Sequence, residues 1–178
     1  MHKYNCIFLD RDGTLNPDSG YISSINKFSF YDFTISSLKK IADIGNRFCI
    51  VTNQSGVSRG LIQMQDLLEI HDHIAKKFQN HSIPLLGIYF CTDHPDHPTH
   101  NRKPGPGMFE RAKIDHDLVL KNCLMVGDSV NDIVAGKNLG MDTMLVLTGR
   151  GAETIDELSP NYKPTFIVED LMDGALAL

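Results

Sequence analysis

No stretch of this chain approaches the roughly 20 consecutive apolar residues that a membrane helix needs, so a membrane partner is not expected. Runs of Lys or Arg are also missing and the net charge is -5. That balance argues against a broad footprint on a phosphodiester backbone, so nucleic acid is not an expected partner. The opening residues His2, Lys3, Tyr4 and Asn5 pass into an apolar run without a long apolar leader or small-residue cleavage site. The expected location is the cytoplasm. Cys6, Cys49, Cys91 and Cys123 each lie in or beside an apolar run, the pattern of small buried thiols rather than of a disulfide framework. No repeat, low-complexity tract or linker divides the 178 residues. A single domain over 1–178 is expected, with a monomer as the default.

What is present is alternation. Apolar runs rich in Ile, Val, Leu and Phe recur at Cys6 to Leu9, Phe48 to Val51, Leu86 to Cys91, Cys123 to Val126, Met144 to Leu147 and Phe166 to Val168. They read as strands buried on both faces. Between them Ile35, Leu38, Ile41 and Ile44 make one helical stripe ending at Gly45, and Met64, Leu67, Leu68, His71, Ile74 and Phe78 make another. Further helices are expected from Pro106 to about His116, from Asn131 to Leu139 and near Leu176. Such alternation predicts an α/β fold, a Rossmann-like doubly wound parallel sheet with helices on both faces. In such sheets ligands bind beyond the carboxyl ends of the strands.

Four polar clusters follow four of these strands. Asp10 and Asp12 stand two apart where the first run breaks into a turn, so both side chains can face one bound group while Arg11 points away. Thr52 and Asn53 follow the second run, Arg102 and Lys103 follow the long Pro-, His- and Gly-rich loop Thr92 to Gly107, and Asp128 and Asp132 follow the fourth strand. Together they describe phosphoryl transfer, which needs donors for the equatorial oxygens, a cation and an in-line nucleophile. A carboxylate repels a phosphate, so attack by Asp10 requires a screening ion, and hard oxygen ligands point to Mg²⁺. Asp128 is the second carboxylate for that ion, and Asp132, four residues on, is given a water-mediated role behind it. Asp12 is the candidate acid and base.

In order, these motifs resemble those of the haloacid dehalogenase (HAD) superfamily: a DxD strand end, a Thr after the second strand, a Lys and a GDxxxD. The resemblance implies that Asp10 is the nucleophile, that Asp12 is the acid/base with its backbone carbonyl on Mg²⁺, that Thr52 and Lys103 hold phosphate and that Asp128 binds metal. The strings FLDRDGTLN, VTNQSGVSRG, RKPGPGMF and MVGDSVNDI, spread from Tyr4 to Gly151, are similar to the capless branch that contains heptose 1,7-bisphosphate phosphatases and histidinol phosphatases. The implied substrate is a small phosphorylated sugar, the 7-phosphate of a heptose bisphosphate, with Asn53, Ser55, Arg59 and Arg102 on the substrate side and the two arginines suited to a second anion.

Many relatives in that branch carry a zinc site ahead of the Arg-Lys-Pro. Here only Cys91 matches, while Asp93, Thr99 and Asn101 stand at the other ligand positions, and Thr and Asn are poor zinc ligands. A substitute zinc set would be Cys91, His94, His97 and His100, at three-residue spacing; it is the less favoured reading. The functional alternatives are a histidinol phosphatase, for which Asp93 and Asp96 could meet a cationic amine, and a noncatalytic phosphosugar-binding protein.

Overall fold

The structure, a computed structural model, describes residues 3–178; Met1 and His2, on which part of the leader expectation rests, lie outside them. Six strands form one parallel sheet: β1 (Ile7–Leu9), β2 (Phe48–Asn53), β3 (Leu85–Cys91), β4 (Leu124–Gly127), β5 (Asp142–Val146) and β6 (Phe166–Val168). Their spatial order is β3-β2-β1-β4-β5-β6. Among the described residues six α-helices accompany them: α1 (Thr34–Asp43), α2 (Met64–Asn80), α3 (Gly107–His116), α4 (Val130–Asn138), α5 (Gly151–Glu157) and α6 (Leu171–Ala177).

Period-two alternation sorts the strand residues between two cores. Ile7, Leu9, Phe48, Ile50, Leu124 and Val126 pack with Leu38 and Ile41 of α1, Ile70, Ile74 and Phe78 of α2 and Leu171 of α6. Cys6, Phe8, Cys49, Val51, Cys123 and Met125 face the other way, onto Met108, Phe109 and Ala112 of α3 and Ala135 of α4. All four cysteines are free and buried. The Phe109 ring stands edge-on to Phe8, with centroids 5.1 Å apart, at the centre of the second core. Phe109→Ala is expected to cost about 3–5 kcal/mol of unfolding free energy, because the surrounding side chains cannot close the void. Denaturant melts of the purified variant check it.

Helix α5 is an addition to the helices expected from the sequence. It has seven residues, of which only Gly151 and Thr154 are buried, so no apolar stripe announces it.

The strand order positions the site. From β1 the chain steps to β2 and β3 on one side, and from β4 to β5 and β6 on the other, so β1 and β4 lie side by side where the direction reverses. Leu9 is paired with Val126, which brings the residues after both strands to one level. Such a switch point is where an open α/β sheet leaves a crevice. Between β1 and α1 lies only loop with a 3-10 turn (Ile25–Lys27), and between β2 and α2 only loop, so no cap domain covers that crevice. Among the described residues no helix is long and apolar enough to cross a membrane.

Candidate active site

β1 ends at Leu9 and the chain turns at once. The Asp10 N–H donates to the Val126 carbonyl at 2.9 Å, the Arg11 carbonyl accepts from the Leu15 N–H at 2.8 Å, and the Gly13 N–H donates to the Asn16 carbonyl at 2.7 Å. Gly13 takes φ 83°, in the left-handed region that glycine enters without a side-chain clash. This loop leaves the Asp10 carboxylate facing the crevice. Its Oδ1 lies 2.9 Å from Lys103 Nζ.

Lys103 is 3% exposed, yet it is fully partnered. Besides Asp10, its ammonium meets Asp132 Oδ1 at 2.6 Å and donates to the Val51 carbonyl at 2.8 Å. Burial opposes the charged form, but the carboxylates of Asp10 and Asp132 outweigh it and hold Lys103 above the ordinary lysine range. It is a fixed cation. Asn53 explains its placement: the side-chain amide donates to the Lys103 carbonyl at 3.1 Å, and its oxygen accepts the Lys103 N–H at 3.0 Å. Asn53 lines the cleft, with one of its amide N–H groups engaged by the lysine backbone.

Asp128 stands at the end of β4 within a clasp made by the segment after β5. The Arg150 N–H donates to its Oδ2 at 2.8 Å, and the Thr154 hydroxyl donates to its carbonyl at 2.8 Å. The Thr148 hydroxyl reaches the Gly13 carbonyl at 2.6 Å, closing the clasp over the first loop. Gly149, at φ 57°, leaves no room for a side chain: a Cβ there would lie 2.1 Å from Asp128 Oδ2. Gly149→Ala is therefore expected to displace Asp128 and lower Mg²⁺-dependent activity about 10²-fold, as loss of ligand support does at metal sites. Activity measured across a Mg²⁺ titration checks it.

Carboxylate oxygens of Asp10, Asp128 and Asp132 all lie within 4.8 Å of one another. Burial, with the neighbouring carboxylates, raises Asp10 well above the usual carboxyl range despite Lys103, and burial followed by Asp132 pushes Asp128 up to about 7. Three crowded, hard oxygen donors, with the charged forms of Asp10 and Asp128 disfavoured, fit a divalent cation. Asp132 stands further back than the others. Its Oδ2 accepts from the N–H and hydroxyl of Ser129 in the capping box that starts α4, and its Oδ1 is taken by Lys103. Asp132 thereby also anchors the lysine beside the cation site.

The cleft has a volume of about 440 Å³, and its lining includes Asp10, Asp12, Thr52, Ser55, Arg102, Lys103 and Asp128. Four expectations need correction. Arg59 is exposed and outside the cleft lining; Arg150, given no role from the sequence, lines it instead. The zinc set does not gather. His100 Nε2 meets Glu110 at 2.7 Å, the rings of His94 and His97 stand 6.2 Å apart with His94 turned to Asp96, and Cys91 is buried at the end of β3. Asp93 and Asp96 are likewise outside the cleft lining, Asp93 accepting the Thr99 N–H at 2.7 Å, so the basis for an amine substrate is gone. Arg11 does not simply point away either. Its fully buried guanidinium returns to Asp12, with Nε 3.1 Å from Oδ1 and Nη2 2.8 Å from Oδ2.

An open parallel sheet with acidic residues gathered at its switch point and a buried lysine beside them defines a phosphohydrolase of the HAD-like class. A HAD-hydrolase-like family model matches residues 100–174. The chain is 37% identical over 160 residues to D-glycero-alpha-D-manno-heptose-1,7-bisphosphate 7-phosphatase of Burkholderia mallei, covering 86% of this chain and 85% of that protein. It is 34% identical over 174 residues to the D-glycero-beta-D-manno-heptose enzyme of Pasteurella multocida, covering 94% and 92%. The D,D-heptose 1,7-bisphosphate phosphatase of B. bronchiseptica, solved with magnesium and phosphate, superposes with a TM-score of 0.87 at 30% identity, over 99% of this chain and 97% of that one. The chain belongs to the heptose-1,7-bisphosphate 7-phosphatase family of HAD-like hydrolases, and is a phosphoric monoester hydrolase.

Proposed function

We propose that the protein is a Mg²⁺-dependent phosphatase that removes the 7-phosphate from a D-glycero-D-manno-heptose 1,7-bisphosphate through an aspartyl phosphate on Asp10. The observation that carries the chemistry is the contact of Asp10 with Lys103 at 2.9 Å, beside Asp128, in a cleft open to solvent. The sugar is supported by relatives of both anomeric types.

Asp10 and Asp128 would hold the Mg²⁺. When bound, it supplies the positive charge that lets a carboxylate approach a phosphate dianion. The Thr52 hydroxyl orients the phosphoryl oxygens, and Lys103 faces them as a fixed positive charge whose N–H groups are held by Asp10, Asp132 and the Val51 carbonyl. An Asp10 oxygen attacks phosphorus, the bond from phosphorus to the ester oxygen breaks, and that oxygen leaves with the electron pair and a proton from the Asp12 carboxyl. Asp12 then takes a proton from water as the water oxygen attacks phosphorus; the bond from Asp10 to phosphorus breaks, freeing phosphate and restoring both carboxyl groups. Arg102 and Arg150, both on the cleft lining, are the cations available to a second phosphate.

A side-by-side phosphate-release assay with Mg²⁺ tests the substrate. Hydrolysis of the heptose bisphosphate at a kcat/KM at least about tenfold above that of histidinol phosphate is expected, since the latter lacks a second anion. The reverse order would reject the sugar and leave the chemistry standing.

A further inference from the structure

Three buried polar side chains next to the site take no part in the scheme above: Arg11, Gln54 and His71, respectively 0%, 4% and 6% exposed. Burying that much hydrogen-bonding capacity is costly unless every group is partnered. Gln54 is partnered at each position. Its Nε2 donates to Asp12 Oδ2 at 2.8 Å and to Thr52 Oγ1 at 2.8 Å, and its Oε1 accepts from Arg11 Nη2 at 3.0 Å. Because a guanidinium can only donate, the amide oxygen must face Arg11, and this fixes which way the amide lies. Arg11 in turn grips both oxygens of Asp12, while its Nη1 lies 3.4 Å from His71 Nε2. By the same logic that nitrogen is an acceptor, so His71 is neutral with its proton on Nδ1. Burial and then the Arg11 charge depress His71 to about 4, consistent with that form. The His71 ring is itself packed against Phe90 of β3, at 5.1 Å between centroids.

We infer that Gln54 and Arg11 are positioning residues for the acid/base, with one amide setting the Asp12 carboxyl and the Thr52 hydroxyl together. The hydrogen bond from Gln54 occupies an acceptor site on Thr52 and leaves its own O–H free to donate toward phosphate. The fork from Arg11, with the Asn16 amide donating to Oδ1 at 2.9 Å, fixes the rotation of the Asp12 carboxyl group, and with it the aim of the oxygens that exchange a proton with the ester oxygen. His71, reaching in from α2, holds the far side of the guanidinium and ties the acid/base to the helix across β2. The inference rests on the phosphatase reading and concerns side chains: the Arg11 backbone N–H donates to Asp10 Oδ1 at 2.8 Å, whereas its guanidinium and the Gln54 amide serve Asp12 and Thr52.

An aim-setting role and a merely structural one separate by leaving group. An alkoxide needs the Asp12 proton to depart, whereas p-nitrophenolate leaves unaided. The test compares kcat/KM, which reports events through departure of the leaving group, for p-nitrophenyl phosphate and for the alkyl phosphate that the wild type hydrolyses best. The wild type scores the phosphatase reading; the ratio of the two constants in Gln54→Leu and Arg11→Lys scores this one. Leu removes the amide, and Lys keeps the charge but cannot fork. Each ratio is taken within one preparation, so loss of folded enzyme cancels. The expected result for Arg11→Lys is that alkyl phosphate hydrolysis falls about 10²-fold while p-nitrophenyl phosphate changes by no more than about threefold; in Gln54→Leu the loss at Thr52 lowers both esters, and the alkyl ester falls at least about tenfold further. Equal falls for both esters, or no fall for either, would overturn the assignment.

Discussion

Asp10→Asn is expected to abolish phosphate release, a loss on the order of 10⁴-fold or more, because nucleophilic groups act as a unit with their partners and nothing replaces them. An amide cannot carry the phosphoryl group as an acyl phosphate. The fold should survive the change. Lys103 keeps its 2.6 Å contact with Asp132 and its bond to the Val51 carbonyl, so the cation is not stranded, and the repulsion of Asp10 by Asp128 and Asp132 disappears. Steady-state assays with thermal melts of the same preparation check both halves. A variant that melts normally and turns over at wild-type rate would remove Asp10 from the mechanism.

Asp128→Asn should produce the second largest effect, on Mg²⁺ itself. Burial and Asp132 hold the wild-type carboxyl at about 7, and Asp10 is raised as well, so at lower pH a proton occupies the oxygen that a metal needs. The sign follows: affinity for Mg²⁺ rises as pH rises through about 7, and below it falls by up to about tenfold per pH unit for each competing carboxyl proton, that of Asp128 and that of the raised Asp10. Binding is accompanied by proton release. In Asp128→Asn that proton is gone, so the pH slope flattens, and losing one of the two proposed carboxylate ligands weakens binding by about 10²-fold, or ~2.7 kcal/mol. Calorimetric titrations in two buffers of different ionisation enthalpy read affinity and proton release together; an unchanged affinity and slope would place the cation elsewhere.

The architecture was legible because parallel strands leave apolar runs, and the four inner strands are buried on both faces as expected; β3 and β6 are not, since as edge strands they are covered only in part and Ile167 is 47% exposed. Phe48 to Val51 and Phe166 to Val168 needed no more than their β-branched and aromatic content. The chemistry was legible for a related reason: Asp10, Thr52 and Asp128 sit at or just after strand ends, and strand ends of one sheet converge. Where the chain leaves the sheet, linear spacing loses its geometric meaning. Arg11 was placed by strand alternation, but β1 ends at Leu9 and the residue lies in a turn that carries its guanidinium back to Asp12. The three-residue spacing of Cys91, His94, His97 and His100 would bring ligands together only in a regular element, and the loop after β3 is irregular. The pairing of the Asn53 side chain with the Lys103 backbone was not legible, because the two are 50 residues apart. Arg150 carried a signal that went unused: the Thr148-Gly149-Arg150 turn follows a strand of the same sheet, as every other cluster of the site does.

The central claim is that Asp10 itself carries the phosphoryl group. Enzyme mixed with substrate and Mg²⁺, quenched in acid within one turnover and reduced with borohydride, should yield a peptide in which residue 10 alone has become homoserine. Recovery of an unmodified Asp10 with phosphate already released, or of the label on any other side chain, would contradict it.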